Sequence, residues 1–98
     1  MNQAWVYILT NRPHGILYIG VTTNLPRRAH EHRAGLITGF TKKYTLTRLI
    51  HAEPHPTITA AITREKQLKT WNRAWKIRLI ESHNPNWDDL YDHLAAGI

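Results

Sequence analysis

The sequence contains no cysteine. Disulfides, zinc–thiolate centres and cysteine nucleophiles are thereby excluded. Acidic side chains are scarce: 7 Asp and Glu stand against 13 Lys and Arg, a formal net charge of +6 with histidine neutral. That imbalance makes nucleic acid the first partner to expect and an anionic membrane surface the second. Long apolar runs are missing too. None approaches the roughly 20 residues of a membrane helix, and the amino-terminal stretch lacks a basic segment followed by an apolar run and a cleavage site. A cytoplasmic location is therefore expected, with no membrane partner. Internal repeats and low-complexity segments are also absent. What remains is a chain of 98 residues, 42% hydrophobic. That length suits one domain spanning 1–98, burying about 60–65% of the surface its unfolded chain exposes.

Residues 5–10 (WVYILT) are β-branched and aromatic and predict a strand. The turn cluster 11–15 leads to a second apolar run, 16–21 (ILYIGV), so the two predict an antiparallel hairpin. Both faces are apolar, which calls for helices over at least one. Thr22, Thr23 and Asn24 offer helix caps, Pro26 suits a first turn, and Gly35 a terminus, which predicts a helix over 25–34. Residues 36–44 read as a loop. Residues 47–53 (TRLIHAE) predict a third strand, stopped by Pro54 and Pro56. A helical stretch runs from Ile58 to about Glu81, with a break possible near 69–72, and a short helix is expected over 88–96. The order β-β-α-β-α-α defines an α+β fold: a small three-stranded antiparallel sheet flanked by helices.

Candidate chemistry lies along these elements. Tyr7 and Tyr18 fall on neighbouring strands, and Gly20 marks a bulge or the close approach of another backbone. Arg28 and His32, four apart, share a helix face. Ile58, Ala61, Ile62 and Leu68 form an apolar stripe with Glu65 on the same side, and a carboxylate there needs a salt bridge, a cap or a metal ion. Lys66, Lys69, Arg73 and Lys76 recur at spacings of three, four and three, a basic stripe that phosphates would neutralise. Of Trp71, Trp75 and Trp87, at least two are expected in the core, although all could stack on bases. Seven histidines raise zinc binding as an option. His30 and His32 do not share a helix face, and His51 and His55 straddle a strand end and a proline.

The order of these segments carries more than any one of them. Trp5-Val6-Tyr7, then Tyr18-Ile19-Gly20, then Asn24-Leu25-Pro26-Arg27-Arg28 with His32 resembles the start of a GIY-YIG nuclease domain. Arg64-Glu65-Lys66-Gln67-Leu68-Lys69-Thr70-Trp71 resembles the segment carrying that family's glutamate. Gly39-Phe40-Thr41-Lys42-Lys43-Tyr44 and Asn84-Pro85-Asn86-Trp87-Asp88-Asp89-Leu90-Tyr91 are similar to its small stand-alone bacterial members. One departure is Trp5, which stands at the first-motif glycine.

The resemblance implies a metal-dependent endonuclease cutting DNA phosphodiesters, structure- or repair-related; no base-reading element is recognisable in the residues, so low sequence specificity is expected. By the same resemblance Tyr7, Tyr18, Arg28 (in preference to Arg27), His32, Glu65 and Asn84 (in preference to Asn86) are the catalytic residues. Glu65 would hold one Mg²⁺ or Mn²⁺, completed by waters and the scissile phosphate. Arg28 would grip that phosphate. Tyr7 is the first choice as general base, its pKa lowered by a nearby cation, and His32 is the rival. Lys42, Lys43, Lys66, Lys69, Arg73 and Lys76 are the expected nucleic-acid contacts. The DNA could be single-stranded, duplex or branched, and so small a chain could act as a homodimer or with a protein partner. The alternatives are a non-catalytic nucleic-acid-binding module of the same fold and a zinc-stabilised or partner-docking domain.

Overall fold

The computed structural model describes residues 4–95. Three strands, β1 (Ala4–Thr10), β2 (Tyr18–Thr22) and β3 (Arg48–His55), form one antiparallel sheet in the order β2-β1-β3. The central strand β1 is buried at every position but Trp5. Its alternation splits the core in two. Val6 and Ile8 join Ile19 and Ile50 on one face, under Ala61 and Leu68 of α3 (Ile58–Thr70) and Ile80 of α4 (Arg73–His83). Tyr7 and Leu9 join Leu46 and Leu49 on the other, under Leu25 and Ala29 of α1 (Leu25–Arg33) and alongside α5 (Tyr91–Ala95). Among the described residues no helix is long and apolar enough to cross a membrane.

Helix boundaries follow local chemistry. Asn24, Thr57 and Asn72 cap α1, α3 and α4, each side chain accepting a backbone N–H three residues on. Asn72 also explains the break in the long helical stretch: Trp71 turns extended, and a new helix starts behind the cap. Gly35 ends α1 at φ 70°, a conformation that favours glycine.

Several expectations need correction. The second strand begins at Tyr18, not at residue 16, because the Asn11 side chain accepts the Ile16 N–H and holds it in the turn. The segment read as a loop contains a short helix, α2 (Phe40–Lys43). Pro54 does not stop β3, which runs on to His55, since β3 is an edge strand where a missing N–H is tolerated. The last helix starts at Tyr91 rather than 88: the Asp89 carboxylate accepts the N–H groups of Leu49 and Tyr91, tying the preceding turn to β3. Its expected end at residue 96 lies outside the described residues. The apolar stripe on α3 is narrower than read, with Ala61 and Leu68 buried but Ile58 and Ile62 about 40% exposed.

Glu53 on β3 anchors α3. His51 and His55 each donate from Nε2 at 3.0 Å, and Arg64 of α3 donates from Nε at 2.9 Å. Burial alone would raise the Glu53 pKa, but these hydrogen bonds override it and bring it down from 4.5 to about 2. A carboxyl with a depressed folded-state pKa contributes stability above its unfolded value and loses it as pH falls towards the folded one. The contribution should therefore be complete above pH 4.5 and vanish towards pH 2. Glu53→Gln is expected to cost about 2–3 kcal/mol at neutral pH and to flatten the acid limb of stability, as read by urea unfolding across pH. An unchanged acid limb would refute the assignment.

Candidate active site

The sheet register builds the site. Tyr7 pairs with Gly20, and Leu9 with Tyr18, so both tyrosines face α1. Their ring centroids are 6.3 Å apart. Tyr7 lies over Gly20 so closely that a Cβ on Gly20 would sit 2.5 Å from the Tyr7 hydroxyl and Cζ. Gly20 thus marks neither a bulge nor a backbone approach, but the space a tyrosine ring needs. The bulge in β1 is elsewhere, between Ile8 and Leu9 against β3.

Helix α1 brings its own pair to the tyrosines. His32 is buried, its ring 5.7 Å from that of Tyr7 and 5.8 Å from that of Tyr18. Its Nε2 lies 3.1 Å from the Tyr7 hydroxyl, and its Nδ1 lies 3.2 Å from Thr41 Oγ1 of α2. Burial, then the Arg28 charge, lowers the His32 pKa, with Glu31 opposing, so this imidazole is neutral at physiological pH. The expected lowering of the Tyr7 pKa is not found. Burial first and Tyr18 next raise it, outweighing the pull of Arg28, so a standing phenolate is disfavoured. Arg28 borders a polar cleft of about 260 Å³ lined also by Thr22, Asn24, Arg27 and Glu31. Glu31 accepts a hydrogen bond from Arg27 Nε at 3.4 Å and lies 3.7 Å from Arg28, an ion pair without a hydrogen bond.

Tyr7, Tyr18, Arg28 and His32 are therefore gathered on one face of the sheet. Glu65 is carried by α3 on the other, and α3 packs against β2, the strand that bears Tyr18. The Glu65 carboxylate is half-buried and pairs with Lys69 at 3.0 Å, not with an arginine. Among the described residues no three His, Asp or Glu side chains gather to hold a metal. The histidines thus do not assemble the zinc site considered above. A lone carboxylate is a donor set suited to a hard cation that keeps its waters and takes its remaining ligands from a substrate phosphate.

Other expected residues are placed differently. Asn84 is buried, its amide donating to the carbonyls of Ile50 and Asp88 and accepting the Asp88 N–H. It works as a clasp between α4 and β3. The basic stripe is divided by the helix break at Trp71–Asn72. Beyond it, Arg73 is tied to the backbone carbonyls of His14 and Gly15. Lys69 is engaged with Glu65, Lys76 is half-buried, and Lys42, Lys43 and Lys66 are exposed. Trp87 is core, Trp71 is half-buried and Trp75 is half-exposed. Thr41 is a site residue that the sequence reading misses. Its only signal was its place in the Gly39–Tyr44 segment, and its contact with His32 exists only across α1 and α2.

Two tyrosines, a histidine and an arginine thus converge on one face of a three-stranded sheet. A family model described as the GIY-YIG catalytic domain matches residues 3–78, and the chain belongs to that family of nucleases. The matched segment ends before Asn84. The chain is also similar to UPF0213 proteins. It is 40% identical to one from Natronomonas pharaonis over 76 residues, 78% of this chain and 88% of that one. It is 33% identical to one from Syntrophus aciditrophicus over 84 residues, 85% of this chain and 95% of that one. The solution NMR structure of a UPF0213 protein from Bacillus halodurans shares the fold with a TM-score of 0.57 and 28% identity, covering 91% of this chain and 93% of that one.

Proposed function

We propose that this protein is a metal-dependent endonuclease that hydrolyses DNA phosphodiester bonds with low sequence specificity, in a structure- or repair-related role in the cytoplasm. The observation that carries this reading is the hydrogen bond between the Tyr7 hydroxyl and the neutral His32, set beside Arg28. In the proposed reaction a water oxygen bonds to phosphorus as the bond to the 3′-oxygen breaks, and that oxygen leaves as an alkoxide that takes its proton from solvent water. The water's proton passes to the Tyr7 oxygen while the Tyr7 proton passes to His32 Nε2. This relay avoids a free phenolate, which burial opposes. Arg28 exchanges Glu31 for the phosphate and offers it two parallel hydrogen bonds. Glu65 would hold Mg²⁺ or Mn²⁺, which when bound would supply Lewis-acid neutralisation of developing negative charge. The net charge of +6 favours an anionic polymer as substrate.

Incubation with labelled single-stranded, duplex and branched DNA tests the reading, with Mg²⁺, with Mn²⁺ and with chelator. Metal-dependent cuts that disappear in Glu65→Ala are expected. DNA binding without cuts on any substrate, unchanged in Glu65→Ala, would instead identify a non-catalytic binding module.

A further inference from the structure

We propose that Thr41 is a positioning residue: its Oγ1 accepts the Nδ1–H of His32 and so holds the tautomer whose Nε2 lone pair faces the Tyr7 hydroxyl. The catalytic consequence of this contact rests on the nuclease reading above, while the contact itself does not.

The inference starts from a choice the geometry leaves open. A neutral imidazole carries one N–H, and both ring nitrogens of His32 face a hydroxyl, Tyr7 at 3.1 Å and Thr41 at 3.2 Å. Each hydroxyl can donate or accept. In one arrangement Tyr7 donates to Nε2 and Nδ1–H donates to Thr41. In the other, Thr41 donates to Nδ1 and Nε2–H donates to Tyr7. Acidity decides between them. Burial raises the Tyr7 pKa above the ordinary phenol value of about 10, but an alkyl alcohol is less acidic still, so the phenol remains the stronger hydrogen-bond donor. Its oxygen lone pair is delocalised into the ring, which makes it the weaker acceptor. The stronger donor therefore meets the free imidazole nitrogen, and the stronger acceptor, Thr41, meets the N–H. The other arrangement would set the weaker donor, Thr41, against the free nitrogen and the weaker acceptor, the phenolic oxygen, against the N–H.

The fold holds Thr41 for this purpose. It is buried in α2, a single short turn of helix between α1 and β3. Its own carbonyl accepts the Leu46 N–H at 2.8 Å, and Leu46 is fully buried beneath α1. The backbone at Thr41 is thus tied to the core, and its side chain is buried, whereas Phe40, Lys42 and Lys43 around it are exposed. Histidine tautomers are commonly set in this way by the partner of the second ring nitrogen.

The test begins with the ¹⁵N-labelled full chain free of DNA and metal, using long-range ¹H–¹⁵N correlations to assign the His32 tautomer. A protonated Nδ1 and an unprotonated Nε2 are expected. Thr41→Val should shift the proton towards Nε2, and Thr41→Ser should leave it on Nδ1. In cleavage assays Thr41→Val should lower kcat by about ten- to hundredfold with KM within about twofold, and Thr41→Ser should recover most of the loss. A protonated Nε2 in the unsubstituted protein overturns the proposal, as does a Thr41→Val variant with unchanged tautomer or unchanged kcat. If Thr41→Val does not fold, the tautomer of the unsubstituted chain and of Thr41→Ser decides alone. If no DNA is cut at all, the nuclease reading fails while the tautomer still tests the contact.

Discussion

Tyr7→Phe is expected to reduce kcat by about 10²- to 10⁴-fold, the range of positioned proton transfer, and His32→Ala to reduce it by a similar factor. The double variant should fall little further, because the two groups act as one relay and their effects do not add. The pH profile separates this relay from a phenolate mechanism. His32 must be neutral to accept a proton, and its pKa is lowered from the ordinary 6.5 by burial and then by Arg28, with Glu31 opposing. Activity should therefore fall only as the pH drops below that lowered value and stay level above it. Tyr7 titrates above its ordinary value because of burial and Tyr18. A mechanism using free phenolate would instead gain about tenfold per pH unit across neutral and mildly alkaline pH. Such a rise, or full activity in Tyr7→Phe, would refute the relay.

Gly20→Ala is expected to disable the site from behind. The added methyl would stand 2.5 Å from the Tyr7 hydroxyl and Cζ, a separation that forces one of the two to move. Tyr7 is the group that must yield, since the atoms met are the end of its side chain whereas the added Cβ is fixed to the backbone of the β1–β2 ladder. Overpacking of this kind costs about 1–3 kcal/mol. The shift also breaks the bond to His32, so cleavage should fall about as far as in Tyr7→Phe. A double-mutant cycle isolates the cause. In a Tyr7→Leu background the shorter side chain leaves room, and the stability cost of Gly20→Ala should largely disappear. An equal cost in both backgrounds would show that the glycine serves backbone conformation rather than ring space.

Much of this architecture follows from short-range chemistry and was legible in the residues. The hairpin, the capped helices and the interruption near Trp71 all depend on neighbours within a few positions, such as Asn24 on Arg27 or Asn72 on Trp75. So does the shared face of Arg28 and His32, which a helical period settles by itself. The failures of local reading are equally physical. A sequence does not show that β3 lies at the sheet edge, so Pro54 read as a stop. It does not show that Arg73 is captured by the carbonyls of His14 and Gly15, so a basic stripe read as continuous.

What the sequence by itself determined is the set of groups: two tyrosines, an arginine, a histidine and a glutamate, on a chain of net charge +6 without cysteine. Their ordered spacing was enough to point to the GIY-YIG family. What only the tertiary structure decided is their state. Burial of Tyr7 raises its pKa, although a nearby cation such as Arg28 taken alone lowers it. The meeting of His32 with both Tyr7 and Thr41 gives each ring nitrogen a hydroxyl partner. Desolvation and hydrogen-bond partnership arise between elements distant along the chain, and residue type and spacing carry no record of them.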